Sequence, residues 1–386
     1  MDTSWWRKKD ELDEEQKAFI LAPSTARLML EGPPGSGKTN LLLLRAQFIA
    51  GQGEKNVLII SFTRSLADFM RNGVEGKGLI SGDQVRTYHS WANEHIREYL
   101  GEALVPDGNE FDDEVRARAL ELVRAARNKL PATKLYSGIF VDEAQDFSVD
   151  ELECLLELSD KICVCGDVRQ GLYKRDGLSI ADKIDLQRIT LKRHYRIGQR
   201  IAEVADRILP PVDGAESLSA TANYNAKTYG IATAKLHDCA SRDEQFEKMC
   251  DLISVQLDAF KGDSIGIFCG RKDSAAEVME RFVGTEFEGK VCLHGAGGGS
   301  FGSGKLIHIM TMHAAKGTEF RSVHIFGAEE LKKFPLNRSR LAYTAVTRAK
   351  TALNAYRTGP TSHVLEAAFA EPVHMDLDAL FHEGAS

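Results

Sequence analysis

The chain has 386 residues, 43% hydrophobic, 27% charged and 8% aromatic, with a formal net charge of -7. That balance belongs to a soluble globular protein and excludes a wholly disordered, collagenous or coiled-coil chain, and at roughly 150 residues per domain it predicts two domains. No run approaches the ~18 apolar residues of a membrane span, Trp5-Trp6-Arg7-Lys8-Lys9 lacks the apolar run of a signal peptide, and the seven cysteines are scattered as free thiols would be, so the expected location is the cytoplasm, away from membranes.

Short apolar β-branched runs alternate with longer helical patterns, which predicts an α/β protein of mainly parallel sheets covered by helices. Residues 27–30, 56–60, 138–141 and 161–165 read as strands of a first sheet. Residues 264–268, 290–293, 306–311, 323–326 and 351–356 read as strands of a second. Two sheets imply two lobes, 1–190 with a short helical insertion at about 92–136, and 191–360, followed by an acidic tail at 361–386. The segment 209–229 reads as irregular, and the Gly-rich stretch 295–304 as an exposed flexible loop. In the tail, Leu377, Leu380 and Phe381 fall at helical spacing; a helix packed back on the body is preferred to a partner-docking tail. Cys163 and Cys165 share one face of a strand, with no second pair or nearby histidine, and read as core rather than metal ligands.

The chemistry begins at Gly32-Pro33-Pro34-Gly35-Ser36-Gly37-Lys38-Thr39, between an apolar strand and a helix that opens at Asn40. That context fits a phosphate loop: glycines let backbone N–H groups wrap phosphate, the helix N-terminus adds positive potential, Lys38 neutralises the terminal phosphates and Thr39 ligates Mg²⁺. The alternative is a plain glycine turn before a helix. At the end of another apolar strand come Asp142 and Glu143, suited respectively to holding Mg²⁺ through water and to activating the attacking water.

With the string Asp142-Glu143-Ala144-Gln145-Asp146, the phosphate loop and Leu341-Ala342-Tyr343-Thr344-Ala345-Val346-Thr347-Arg348-Ala349, the chain resembles the UvrD/Rep-like superfamily 1 helicases. The resemblance runs from about residue 12 to 350 and implies two tandem RecA-like P-loop domains with ATP between them. Residue by residue, it implies adenine reading by Gln16, γ-phosphate sensing by Gln170, adenine stacking by Tyr195 and phosphate contacts by Arg196 and Arg348. Thr311 to Phe320, with Gly317 and Glu319, resembles the second-lobe segment that links nucleic acid to the nucleotide. Phe62, Thr63, Arg64 and His89, with Thr311 and His313, resemble contacts to single-stranded DNA. Arg348 and Arg196 would bring from the second lobe the cation that the first lobe lacks, making hydrolysis conditional on closure.

Three departures bear on function. Arg175 stands where the family has a base-stacking tryptophan; an arginine plane can stack or grip phosphate. The insertion between Trp91 and Ser137 is only about 45 residues, and its Arg116, Arg118, Arg124 and Arg127 either touch a strand or form a solvated face, the second being preferred. The span from Ile265 to Thr311 is too short for the family's large duplex-engaging insertion. Trp5 and Trp6 fit an aromatic wall near adenine, a base-stacking platform or core packing equally. The expectation is an ATP- and Mg²⁺-dependent translocase or helicase on single-stranded DNA, moving 3′ to 5′ and working with a protein partner such as a nuclease or a repair or defence factor. RNA stays open as the substrate, because backbone tracking and stacking serve both polymers. The competing reading is a nucleic-acid-activated ATPase switch that regulates an effector without processive unwinding.

Overall fold

A computed structural model describes residues 11–74, 79–108, 112–171, 175–212, 215–295 and 298–371. Trp5, Trp6, Leu377, Leu380 and Phe381 lie outside the described residues.

The first sheet holds β1 (Leu28–Glu31), β2 (Val57–Ser61), β3 (Val85–Thr87), β4 (Gly138–Val141), β5 (Ile162–Gly166) and β6 (Gln187–Thr190), in the order β3-β2-β4-β5-β1-β6. Every pairing is parallel. Helices cover both faces, so the central strands are apolar throughout rather than alternating. The period of two is still visible in where each side chain goes. Leu58, Ile60, Ile139, Val141, Ile162 and Val164 join one core cluster. Val57, Ile59, Phe140, Cys163 and Cys165 join the other. The two cysteines are therefore core, as their shared strand face suggested.

The second sheet holds β7 (Thr233–Asp238), β8 (Ile265–Cys269), β9 (Val291–Leu293), β10 (Ile307–Thr311), β11 (Phe320–Phe326) and β12 (Ala349–Arg357), in the order β7-β12-β11-β8-β10-β9, again all parallel. Ile265, Ile267, Ile307 and Ile309 pack on one face, while Phe268, Met310, Val323 and Ile325 pack on the other with the helix Gln199–Ile208. The architecture is an α/β fold of two RecA-like lobes, each a parallel six-stranded sheet covered by helices.

Three strands escaped the sequence reading, and all three are sheet edges. β3 has three residues, β6 is mostly exposed and β7 buries only Ala234. An edge strand needs no apolar run on either face, so a search for such runs passes over it.

The insertion is two helices, Tyr88–Leu100 and Asp113–Ala126, packed on each other. Its arginines correct the preferred solvated-face reading in one case. Arg116 is buried, donates to Glu151 at 2.5 Å and lies over the Phe62 ring. Arg118, Arg124 and Arg127 stay near solvent but pair with Glu121, Asp150 and Glu157. Between β8 and β10 the chain forms the helix Lys272–Arg281, β9 and short turns, with no room for a further domain. No helix among the described residues is long and apolar enough to cross a membrane.

Candidate active site

In the first sheet the phosphate loop follows β1, Asp142 and Glu143 follow β4, and Asp167 to Gln170 follow β5, three adjacent parallel strands. Parallel strands end on one side, so these segments meet at the carboxyl edge of the sheet, where α/β folds bind ligands. The segments carrying Phe62 to Arg64 and His89 leave the same edge after β2 and β3, one and two strands further out.

The phosphate loop is shaped by its glycines. Gly35 and Gly37 have φ of 79° and 90°, the left-handed region, and Gly37 precedes the helix Lys38–Gly51. A Cβ on Gly32 would lie 2.9 Å from Leu191 Cβ and from Ser36 Oγ. Behind the loop, Arg45 is fully buried and donates to Phe19 O at 3.0 Å, Ala22 O at 2.9 Å and Pro23 O at 2.9 Å, fastening the helix Glu14–Leu21 in place. Gln16 is thereby held against the loop. Its Nε2 donates to Ser36 O at 3.0 Å and its Oε1 accepts from Asp13 N at 3.2 Å.

Lys38 Nζ donates to Gly32 O at 2.7 Å and Pro33 O at 3.0 Å and lies 3.8 Å from Asp167 Oδ2. Thr39 Oγ1 donates to Asp142 Oδ2 at 2.6 Å. This pair of oxygens, beside a backbone cradle too tight for a side chain, fits the oxygen donors that a hard cation such as Mg²⁺ would take. Burial pushes the Asp142 carboxyl up to about 7, and the neighbouring Glu143 charge adds to that rise. Glu143 moves the other way: burial alone would raise it, but Lys316, Arg348 and Lys38 together hold it below its ordinary value. Two adjacent carboxyls are thus driven apart, Asp142 toward its protonated form and Glu143 toward its ionised form. Glu143 also has φ of 57°, a left-handed conformation rare for a side-chain-bearing residue and commonest where function fixes it.

The second lobe closes the site with two buried cations. Arg348 Nη2 donates to Gln170 Oε1 at 2.5 Å, its Nε donates to Thr344 O at 3.0 Å, and Gln170 Nε2 donates to Asp167 Oδ2 at 2.7 Å. Lys316, 1% exposed, donates to Gln170 O at 2.9 Å, lies 3.6 Å from Glu143 Oε2 and pairs with the fully buried Asp146. Arg196 pairs with Glu319, and Tyr195 donates from its hydroxyl to Asp13.

These groups surround a cavity of about 620 Å³ lined by Pro34, Gly35, Gly37, Lys38, Thr39, Asn40, Asp142, Glu143, Gln170, Tyr195, Arg196, Gly317, Glu319 and Arg348. Gln16, Gly32, Pro33 and Ser36 stand behind that lining. Tyr224, Tyr229 and Arg321 also line the cavity, with Arg321 over the Tyr229 ring at 5.1 Å. The sequence reading missed these three because they come from an irregular stretch and a strand with no motif. Lys316 lies inside the segment Thr311 to Phe320 with no role expected of it; a lysine in an otherwise small-residue run, Ala314-Ala315-Lys316-Gly317, is the signal that points to it.

The nucleic-acid candidates are less uniform. Phe62 is buried against Phe147, with ring centroids 5.4 Å apart, and Thr63 Oγ1 accepts from Leu66 N at 3.2 Å. Arg64 is exposed. His89 Nε2 is 3.1 Å from Asn93 Nδ2. Arg175 donates to the exposed Asp113 at 2.7 Å. Thr311 Oγ1 accepts from Ala314 N at 3.3 Å, and burial lowers the His313 pKa with Arg338 beside it. The segment from Thr311 to Phe320 runs from the carboxyl end of β10 to the amino end of β11, so it links Thr311 and His313 to Lys316, Gly317 and Glu319.

Residues 15–175 match the AAA domain family, and residues 306–356 match the UvrD-like helicase C-terminal domain family. No curated protein matches the chain. Among solved structures, the C-terminal domain of a "possible DNA helicase" from Lactobacillus plantarum is similar at 18% identity and a TM-score of 0.33, covering 44% of this chain and 91% of that one. The PRRSV helicase is similar at 15% identity and a TM-score of 0.42, covering 89% of this chain; the chain spans 54% of that helicase's length.

Proposed function

We propose that this chain is a UvrD/Rep-like superfamily 1 helicase that hydrolyses ATP and couples that hydrolysis to stepwise movement along single-stranded nucleic acid. The observation that carries the reading is the pair of second-lobe cations, Lys316 and Arg348, seated on Glu143 and Gln170 of the first lobe. Turnover then requires both lobes, and anything that moves one lobe against the other gates it.

Lys38 and the loop N–H groups bind the terminal phosphates of ATP. Thr39 and Asp142 would hold Mg²⁺, which when bound neutralises phosphate charge. Glu143, kept ionised by its cationic neighbours, takes the proton of the attacking water at its carboxylate. Gln170 orients that water or the γ-phosphate, and Arg348 stabilises the charge that develops there, a contribution of roughly 10³ to 10⁵ in rate. Arg196, Glu319, Gly317 and Tyr195 complete the nucleotide's second-lobe wall, with Gln16 setting the loop position. Phe62, Thr63, Arg64 and His89 on one lobe and Thr311 and His313 on the other are the proposed strand contacts. The lobe boundary is placed near residue 190.

The proposed substrate is single-stranded DNA, tracked 3′ to 5′, by resemblance to the family. Among the described residues the compact insertions supply no element to hold a duplex ahead, which supports motion along a single strand with poor separation of long duplexes; a protein partner such as a nuclease or a repair or defence factor is proposed to work with it. ATP-driven displacement of streptavidin from biotinylated oligonucleotides tests this. Release from the 5′ end supports 3′-to-5′ movement, release from the 3′ end reverses the polarity, and release from neither end removes translocation.

A further inference from the structure

β9 and β10 are parallel neighbours at the edge of the second sheet, and their register sets His308 opposite Cys292. His294 follows Cys292 by two residues, so an extended backbone returns its side chain to the same face. The three side chains converge on one point. Cys292 Sγ lies 3.2 Å from His308 Nδ1 and 3.5 Å from His294 Nε2, and the two ring nitrogens are 2.9 Å apart. All three residues are buried, at 8%, 8% and 2% exposure for Cys292, His294 and His308. Among the described residues this is the one group of His, Cys, Asp or Glu side chains whose ligand atoms come together as a metal would require.

We propose that Cys292, His294 and His308 form a zinc site, separate from the nucleotide cavity. Around a tetrahedral zinc with ordinary bond lengths, two nitrogen ligands stand ~3.3 Å apart and a nitrogen and a sulfur ~3.6 Å apart. The observed separations come within a few tenths of an ångström of these values, so small rotations of the side chains suffice. A thiolate with two imidazoles is a soft donor set that selects zinc over magnesium, unlike the oxygen pair of Thr39 and Asp142.

The surroundings tie the site to the contact between the lobes, and a water would take the fourth tetrahedral position. The Phe301 ring covers both imidazoles, with centroids 4.5 Å and 4.7 Å from those of His294 and His308. Phe301 N donates to Asp68 at 2.9 Å, and its ring meets Phe69 at 5.6 Å, both on the first-lobe helix Arg64–Val74. Zinc would therefore fix the β9–β10 connection, and with it a contact between the lobes. A hydrogen-bonded triad is the competing account of the same geometry, and metal affinity separates the two.

The test uses the full chain, stripped with chelator and titrated with Zn²⁺ against a chromogenic competitor, and separately with Co²⁺ followed by absorbance. Expected are about one tight equivalent of zinc per chain and a thiolate-to-cobalt charge-transfer band with tetrahedral ligand-field absorption. Cys292→Ala is expected to abolish that band, and Cys292→Ala and His308→Ala each to weaken zinc binding by more than the ~10- to 100-fold that losing a ligand's hydrogen-bond partner costs. Cys250→Ala, which removes a thiol outside the triad, is expected to leave both unchanged. No tight equivalent in the wild-type chain overturns the proposal, and this arm stands even if the variants misfold. Unchanged affinity in folded Cys292→Ala overturns it as well and leaves the triad as hydrogen bonds alone.

Discussion

The Arg348 guanidinium of the second lobe donates to Gln170 Oε1 of the first at 2.5 Å, while Gln170 Nε2 donates to Asp167. The arginine that would stabilise the transition state is thus wired to the residue that would sense the γ-phosphate, and both stand at the cavity that holds Glu143. Arg348→Ala should lower maximal turnover by ~10³-fold or more while changing nucleotide affinity little, because its charge matters most where charge develops. Steady-state kinetics with a separate nucleotide-binding titration checks this. An equal loss in affinity with unchanged maximal turnover would make Arg348 a ground-state contact.

The phosphate cradle and the base should come apart by mutation. Lys38→Ala removes the ammonium that bridges Gly32 O and Pro33 O and is expected to abolish nucleotide binding or turnover. Glu143→Gln keeps the shape of the site but cannot accept a proton, so ATP should bind and persist. A fluorescent-nucleotide titration beside a phosphate-release assay distinguishes the two, and hydrolysis at the parent rate by Glu143→Gln would reassign the base.

Lys316 supplies a pH prediction whose sign follows from its neighbours. Burial would raise Glu143, but Lys316, Arg348 and Lys38 hold it below its ordinary value. Activity needs the ionised form, so at saturating Mg²⁺ the wild-type rate should hold its plateau as pH falls into the ordinary carboxylate range. Lys316→Met removes one cation and should move the acid limb to higher pH. It also removes the ammonium paired with the buried Asp146, at a cost of about 3–5 kcal/mol, which would show as a lower denaturation midpoint. Lys316→Arg should recover part of both. An unmoved acid limb in a folded Lys316→Met chain would contradict the electrostatic role.

How much of this was legible in the sequence depends on what each element must bury. Central strands such as β2 and β5 announce themselves because helices cover both their faces. β3, β6 and β7 do not, since an edge needs little apolar surface. The segments that converge on the cavity were legible because binding phosphate, a cation and an attacking water would demand specific groups at fixed offsets, as in Gly32 to Thr39 and in Asp142-Glu143. Arg116 was not, because its partners Glu151 and Phe62 are distant in sequence and only the fold converts a basic residue on a polar helix into a buried ion pair. Tyr224, Tyr229 and the Cys292–His294–His308 triad were missed for the same reason: cross-strand register and loop folding, rather than local spacing, bring them to their places.

Gly317 tests whether the lobes must meet as closely as they do. Its φ is 79°, and an added Cβ would lie 2.6 Å from Leu66 Cδ2 on the first-lobe helix. Gly317→Ala should weaken closure and cut turnover. Leu66→Ala in the same chain should restore part of it by making room, while the backbone strain of about 1–2 kcal/mol remains. Full restoration would assign the whole effect to the steric contact, and no effect of Gly317→Ala would show that the lobes tolerate a wider separation.

The most direct measurement is steady-state ATP hydrolysis by the purified chain without polymer and with single-stranded DNA, duplex DNA or RNA, across a range of salt. Single-stranded nucleic acid should raise turnover several-fold over the polymer-free rate, most strongly for DNA, and the stimulation should fall as salt rises because phosphate contacts release counterions. Duplex DNA should stimulate less, and Glu143→Gln should remain inactive with every polymer. A polymer-free rate that none of the nucleic acids changes, at low salt and with the site intact, would contradict the coupling between strand contacts and the Lys316–Arg348 closure.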